Sequence, residues 1–437
     1  MRTRQVRFAA ALLALAAAAP AASRAAAGPA LGPQLQVNAS AVDVQANPRV
    51  AVFPDGGFVV VWEAAGKAGS GRQKVVLHAR LFGASGAPAG GEFLLVGASG
   101  STALDGVAAA GNGSFVVAWD LNVDAVPRTR VFVQRFSRAG KALTPPVQAH
   151  DDSTSDRYFG ALAVGTTGRV AVLWAADVGS AFDQTYRNDA FVRVFSRNLV
   201  PLTGELQVAM GDVADGSGPF PDALAMAADG SLTAVMTYAG DSVDVFVQRI
   251  APDGTLLDTD SIFPPDNCCA GNTYDASLAM APDGRIAVAW DYQRPATLDR
   301  LPLALTPPSG ISGRMYGADG KAQGNPLLRI NRRSLGQRVT PALACLPAGG
   351  CIAAWEDESA RDGSGSGIFG RLLAADGTPA GPDFLVNGTT SGNQISPAIG
   401  AGPGGTVVVW VSGPASTIYA RRVNGSPATA GADGSPP

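Results

Sequence analysis

Seven stretches of the chain share one hydrophobic pattern. An apolar run leads into a polar turn containing Gly, and a second apolar, β-branched run follows, as in residues 50–62 (VAVFPDGGFVVVW), 278–290 (LAMAPDGRIAVAW) and 343–355 (LACLPAGGCIAAW). Two such runs around an Asp-Gly-type turn predict a β-hairpin. Trp62, Trp119, Trp174, Trp290, Trp355 and Trp410 end six copies, and Met236 ends the seventh (224–236, LAMAADGSLTAVM). Each hairpin is followed by a variable loop and a third strand, for example 131–137 (VFVQRFS), 245–251 (VFVQRIA) or 368–373 (IFGRLL). A tight turn at 252–254, 318–320 or 375–377 then leads into a fourth strand such as 92–96, 326–330 or 383–387. The copies recur every 54 to 65 residues, which suits one four-stranded antiparallel blade, strands a to d, per repeat.

The last copy stops after its third strand, 417–423, while residues 32–38 (GPQLQVN) match the fourth strand 381–387 (GPDFLVN). A strand displaced to the opposite terminus is what ring closure requires, because it joins the first blade to the last and removes open sheet edges. The expected fold is all-β: a seven-bladed β-propeller of four-stranded antiparallel blades, closed by an N-terminal strand that completes the last blade. The expected organisation is a signal peptide over 1–27, a single propeller over 32–426 with residues 32–40 pairing to the last blade, and a disordered tail over 427–437. The signal rests on Arg2, Arg4 and Arg7 ahead of the apolar run 8–19 and the small residues of 21–27. That run is too short to span a bilayer, so the mature chain is expected to be secreted or periplasmic, without a membrane span, and monomeric.

The repeat segments, of the type PDGGFVVVW followed by IFGRLLAADGTPAGPDFLVN, resemble the tandem repeats of secreted bacterial β-propeller proteins, most of them uncharacterised. The resemblance runs from Gly32 to about Asn424 and implies the architecture without implying an activity.

Charge and composition narrow the partners. Thirty-three basic and 36 acidic residues give a net charge of −3, with the signs interspersed, so neither nucleic acid nor a lipid surface is expected. Four cysteines in an exported chain suit disulfides. Cys345 and Cys351 face each other across the a–b hairpin of the sixth blade, and the adjacent Cys268 and Cys269 are candidates for a vicinal bond. The periodic tryptophans read as packing between blades. Arg80, Arg135, Arg249, Arg314, Arg371 and Arg421 recur on strand c, and read as ties to acids such as Glu92, Glu205 and Asp383 at the start of strand d.

In such a blade the b–c and d–a connections share one face, and here they hold nearly all the length variation, which marks a recognition face. Its candidate ligand contacts are Tyr158, Asp183, Tyr186 and Arg187 near the third blade and Tyr274, Asp291, Tyr292 and Arg294 around the fifth; aromatic rings beside charges suit a saccharide or peptide. Glu63, Asp120, Asp291 and Glu356 directly follow tryptophans and read first as acceptors for loop amides. The alternative for the stretch with Glu356, Asp357 and Asp362 is a calcium site; no other cofactor is implied.

With only His78 and His150, no multi-histidine metal centre or Ser-His-Asp set can be assembled, and no catalytic residue is assigned. The leading expectation is a non-catalytic exported propeller that binds an extracellular or periplasmic polysaccharide, peptide or protein. The alternatives are a sialidase- or glycosidase-like hydrolase or lyase, which needs a carboxylate pair at the channel mouth, and a calcium-stabilised structural module.

Overall fold

The β-branched run of each hairpin is buried on both faces, as a strand sandwiched between neighbouring blades must be. Val59, Val60 and Val61 are wholly inaccessible, as are Val407, Val408 and Val409, and all six tryptophans are at most 2% exposed. Met236 takes the tryptophan position in the fourth blade and is equally buried, packed with Leu173, Val192 and Ala234. A flexible thioether fills the space an indole would otherwise occupy.

The computed structural model describes residues 28–39, 43–67, 73–97, 100–122, 129–151, 155–178, 187–212, 218–239, 243–262, 272–293, 310–332 and 336–425. The segments read as signal peptide and tail, and Cys268 and Cys269, lie outside them. Among the described residues, twenty-eight strands, β1 to β28 in chain order, form seven four-stranded antiparallel sheets. The first strand of each blade is innermost: β2 (Val44–Val52), β6 (Ser101–Ala109), β10 (Arg157–Val164), β14 (Gly218–Met226), β18 (Asn272–Met280), β22 (Arg338–Cys345) and β26 (Gln394–Gly402). Each touches the next around the ring, with β26 returning to β2.

The seventh sheet has the order β1-β28-β27-β26, in which β1 is Ala30–Gln36, β27 is Gly405–Ser412 and β28 is Thr417–Asn424. The N-terminal strand therefore completes the last blade, in the register Leu35↔Ala420 and Gln36↔Tyr419. Asn38, 2% exposed, locks the junction: its side-chain oxygen accepts the Ile418 amide at 2.8 Å. Asn331 and Asn387 repeat that bond to Ile311 and Ile368.

Hairpin turns place glycine where φ is positive, as at Gly56 (84°) and Gly254 (90°), a region L side chains enter only with strain. The c–d turn of the third blade puts Leu199 there instead (φ 60°), and its burial at 2% exposure against Phe195 and Ala149 offsets the strain.

The strand-c arginines do tie blades together, chiefly through backbone carbonyls rather than strand-d acids. Arg135 donates to the Gly168 carbonyl, Arg371 to that of Ile330 and Arg421 to that of Val386, each in an adjacent blade. Arg314 pairs with Asp260 at 3.1 Å. The strand-d acids cap loop amides: Glu92 accepts from Ala39, Glu205 from Asp151 and Asp383 from Arg332. The expected disulfide joins Cys345 to Cys351, which are paired across β22 and β23 (Cys351–Asp357) with Cα atoms 3.9 Å apart. Among the described residues no helix is long and apolar enough to cross a membrane.

Candidate functional site

The seven innermost strands enclose a central cavity of about 680 Å³, to which every blade contributes. Each innermost strand carries a register shift at the same place, between Ala46 and Arg49 in β2, Tyr274 and Ser277 in β18, and Val339 and Ala342 in β22, for example. Such bulges re-aim side chains. At four of them a non-glycine residue is left-handed: Asn47 (46°), Asp275 (47°), Thr340 (50°) and Ser396 (54°). Asn and Asp tolerate that conformation, whereas a β-branched Thr does so only at a cost.

Immediately after the shift, six blades carry a small residue: Gly106, Ala161, Ala223, Ser277, Ala342 and Ala398. The first blade carries Arg49. Arg49 lines the cavity, and among the described residues its guanidinium makes one hydrogen bond, to the neighbouring Pro48 carbonyl at 3.3 Å. No carboxylate lies within ion-pair distance of it among the described residues. Burial lowers its pKa, and the more distant charges of Glu63, Asp105 and Asp275 oppose that shift. An arginine pKa starts so high that the group stays cationic.

Four aspartates and one glutamate share the cavity: Glu63, Asp105, Asp120, Asp222 and Asp275. Asp105 and Asp222 hold equivalent positions, and each accepts the backbone amide of the following blade's bulge, at Gly160 and Ala276. Gly160 is needed for that approach, since a Cβ there would lie 2.8 Å from the Asp105 carboxyl. Burial pushes Asp105 well above the usual carboxylate range, and the neighbouring Asp120 carboxylate raises it further. Burial pushes Asp222 up to about 8, against the 2.7 Å hydrogen bond from the Thr237 hydroxyl. Enclosure by the channel wall also raises Asp275, opposed by Arg49. Glu63 accepts the Leu104 amide (2.8 Å) and the Asn47 side-chain amide (2.9 Å).

A carboxyl pair therefore stands in the channel, as a glycan hydrolase would need.

The loop-face candidates are placed differently from one another. Asp291 (0% exposed) and Tyr292 (3%) lie inside the fifth blade rather than on its surface, because the end of β19 (Ile286–Gln293) is covered on both sides. Tyr158 is half-buried and bonds through its hydroxyl to Asn188. Arg187 pairs with Asp189 at 3.2 Å. Asp183, Tyr186 and Arg294 lie outside the described residues, as does the Tyr274 side chain.

Of the candidate calcium ligands, Asp357 is wholly buried and held by Arg338 and Arg361, each at 3.1 Å, and by Ser359. Guanidinium groups thus stand where a cation would approach. Glu356 accepts the Ser396 amide at 3.3 Å, the loop-amide role expected of it, and burial raises its pKa. Asp362 accepts from the Ser364 amide and the Asn387 side chain. Among the described residues no group of three or more His, Cys, Asp or Glu is arranged to hold a metal ion.

Arg49, Asp105 and Asp222 went unrecognised in the sequence because they sit within strand a, away from variable loops, whereas Glu63 and Asp120, at the end of strand b, had been singled out only as acceptors for loop amides. The available signal was a break in the repeat: Arg49 where the other copies have Gly, Ala or Ser, and Asp105 and Asp222 where other copies have Pro48, Pro341 or Pro397.

No protein-family model and no curated protein sequence matches the chain. Among solved structures it is similar to a protein of unknown function from Dyadobacter fermentans (TM-score 0.52, 12% identity, covering 91% of this chain and 99% of that one). It is also similar to a polysaccharide lyase, the PL25 ulvan lyase (TM-score 0.51, 11% identity, covering 75% and 79%). At such identities the likeness is one of fold.

Proposed function

We propose that the chain is an exported, non-catalytic propeller that binds a polysaccharide, with the ligand reaching the central channel from the b–c and d–a face. The observation that carries this reading is Arg49. A repeat conserves what packing needs in every copy, so a single long cation where six blades hold Gly, Ala or Ser is not explained by packing. Among the described residues its hydrogen-bonding capacity is largely unused, and it shares the cavity with carboxyl groups that can each accept from, or when protonated donate to, a sugar hydroxyl. Donors and acceptors converging on a preformed cavity are what polyhydroxylated ligands need. Tyr158, Asp183, Tyr186, Arg187, Tyr274 and Arg294 would form the outer rim that a longer chain crosses. The disulfide and the absence of an apolar spanning helix among the described residues accord with export.

Arg49→Ala tests the reading, since it installs the residue type that the neighbouring blades already carry and should fold normally. A glycan screen of the mature protein should yield a ligand whose affinity falls at least tenfold in the variant. Unchanged affinity of Arg49→Ala for every ligand found would refute the channel as the site.

A further inference from the structure

The outer edges of several blades are fastened by one repeated device, and in the second blade that device can titrate. In the seventh blade the Val37 amide donates to the Ile418 carbonyl, and the Ile418 amide donates back to the side-chain oxygen of Asn38, each at 2.8 Å. Asn331 latches Ile311 and Asn387 latches Ile368 in the same reciprocal way, with the amides of Ile330 and Val386 making the backbone half. In the second blade β8 (Thr129–Phe136) pairs with β9 (Val147–Gln148). There the Ala149 amide donates to the Val131 carbonyl at 2.9 Å, and the Val131 amide donates to Nε2 of His150 at 3.4 Å. His150 thus stands where three blades have asparagine, and like them it is buried, at 3% exposure.

The partners of the ring fix its protonation. Nε2 can accept the Val131 amide only without a proton, so the neutral ring carries its proton on Nδ1, which donates to the Asp151 carbonyl at 2.8 Å. The Gln148 side-chain amide, 3.4 Å from Nδ1, donates to the His150 carbonyl at 3.1 Å. A second proton must go to Nε2, where it faces the Val131 N–H and leaves that buried amide without an acceptor. An asparagine latch has no such second state, because its side-chain amide does not titrate.

The charges around the ring come from several elements. Arg157 on β10 and Arg130 on β8 disfavour an imidazolium, while Glu205, which accepts the Asp151 amide, favours one. The Asp151 carboxylate is held by Arg193 at 2.8 Å, and the Trp174 ring lies 6.2 Å from the imidazole. Burial is the largest influence and lowers the His150 pKa, opposed chiefly by the Asp151 carbonyl.

We propose that His150 makes the outer edge of the second blade acid-sensitive: protonation of Nε2 breaks the Val131 latch and loosens β9 from β8, while the asparagine-latched blades stay closed. Residues 149–151 lead from β9 towards the recognition face, so acidification loosens that face at one blade. An unfolded histidine titrates near pH 6.5. The closed edge binds the proton less readily than the opened one, so closure weakens as the pH falls below that value.

The test is hydrogen exchange of the protein at single-amide resolution, at pH 7.5 and pH 5, corrected for the intrinsic pH dependence of exchange. It compares four latched amides: Val131, Ile311, Ile368 and Ile418. On acidification the protection of Val131 should fall by about tenfold or more relative to the other three, the change that loss of a buried acceptor brings. His150→Asn installs the residue used by the other latches and should abolish the difference. Val131 protection that moves in parallel with the three isoleucines, or a selective loss that persists in His150→Asn, overturns the inference. The comparison among the four amides is made within the wild-type protein, so it decides the matter even if the variant fails to fold.

Discussion

Replacing Asp222 by Asn should make the protein more stable at alkaline pH and less markedly so at acid pH. Asp222 lies on the innermost strand of the fourth blade, accepting the Thr237 hydroxyl and the Ala276 amide, and burial raises its pKa from 3.8 to about 8. In the unfolded chain the same carboxyl loses its proton near pH 4. Between those two values the folded state holds a proton that the unfolded state does not, so stability falls as pH rises through that window. At ~1.4 kcal/mol per pH unit the whole window amounts to about 6 kcal/mol. Asp222 is half-buried in the cavity wall, and screening there reduces the expected loss to about 2 to 3 kcal/mol.

Asn is neutral throughout. Its oxygen can accept from Ala276 and its amide can donate to the Thr237 hydroxyl, which is the pattern a protonated Asp makes. Urea unfolding of wild type and Asp222→Asn at pH 5, 7 and 9 measures the difference. The variant should already be about 1 kcal/mol more stable at pH 5, one unit above the unfolded value, and about 2 to 3 kcal/mol more stable at pH 9. Parallel stability curves across that range, or a variant less stable at pH 9, would show that Asp222 titrates normally and that the channel does not hold a proton there.

Two further predictions concern the ring itself. Arg338→Met removes one of the two guanidiniums on the buried Asp357; breaking such a pair costs about 3 to 5 kcal/mol, and because Arg361 remains at 3.1 Å the lower end is expected in urea unfolding, with a loss under 1 kcal/mol counting against the assignment. Asn38→Ala leaves the Ile418 amide without its acceptor at the ring junction, which should cost about 2 kcal/mol and speed hydrogen exchange at Ile418 more than at Ile311, whose equivalent bond to Asn331 is untouched.

The fold was legible because the information that specifies a propeller is local and repeated. Apolar alternation, an Asp-Gly turn and a terminal tryptophan define each hairpin within a few residues, and seven copies of that statement leave little ambiguity. Even ring closure could be read, because residues 32–38 carry the sequence of a fourth strand. The Cys345–Cys351 bond followed from hairpin register alone. The arginine ties were foreseen as ties, but their acceptors were not, since backbone carbonyls of a neighbouring blade have no sequence signature.

The site belongs to the tertiary structure. Arg49, Asp105, Asp222 and Asp275 stand in four different blades, and nothing along the chain says that their strands converge on one axis or that their bulges point the side chains inward. Solvent exposure was equally out of reach. Asp291 and Tyr292 have the composition of a recognition loop and are buried, because burial depends on the blade packed alongside. The sequence by itself determined the number of blades, their strand order and how the ring closes, since those follow from interactions between chain neighbours. Which side chains share a cavity, and how their charges shift one another, was decided only when the seven blades were brought around a common centre.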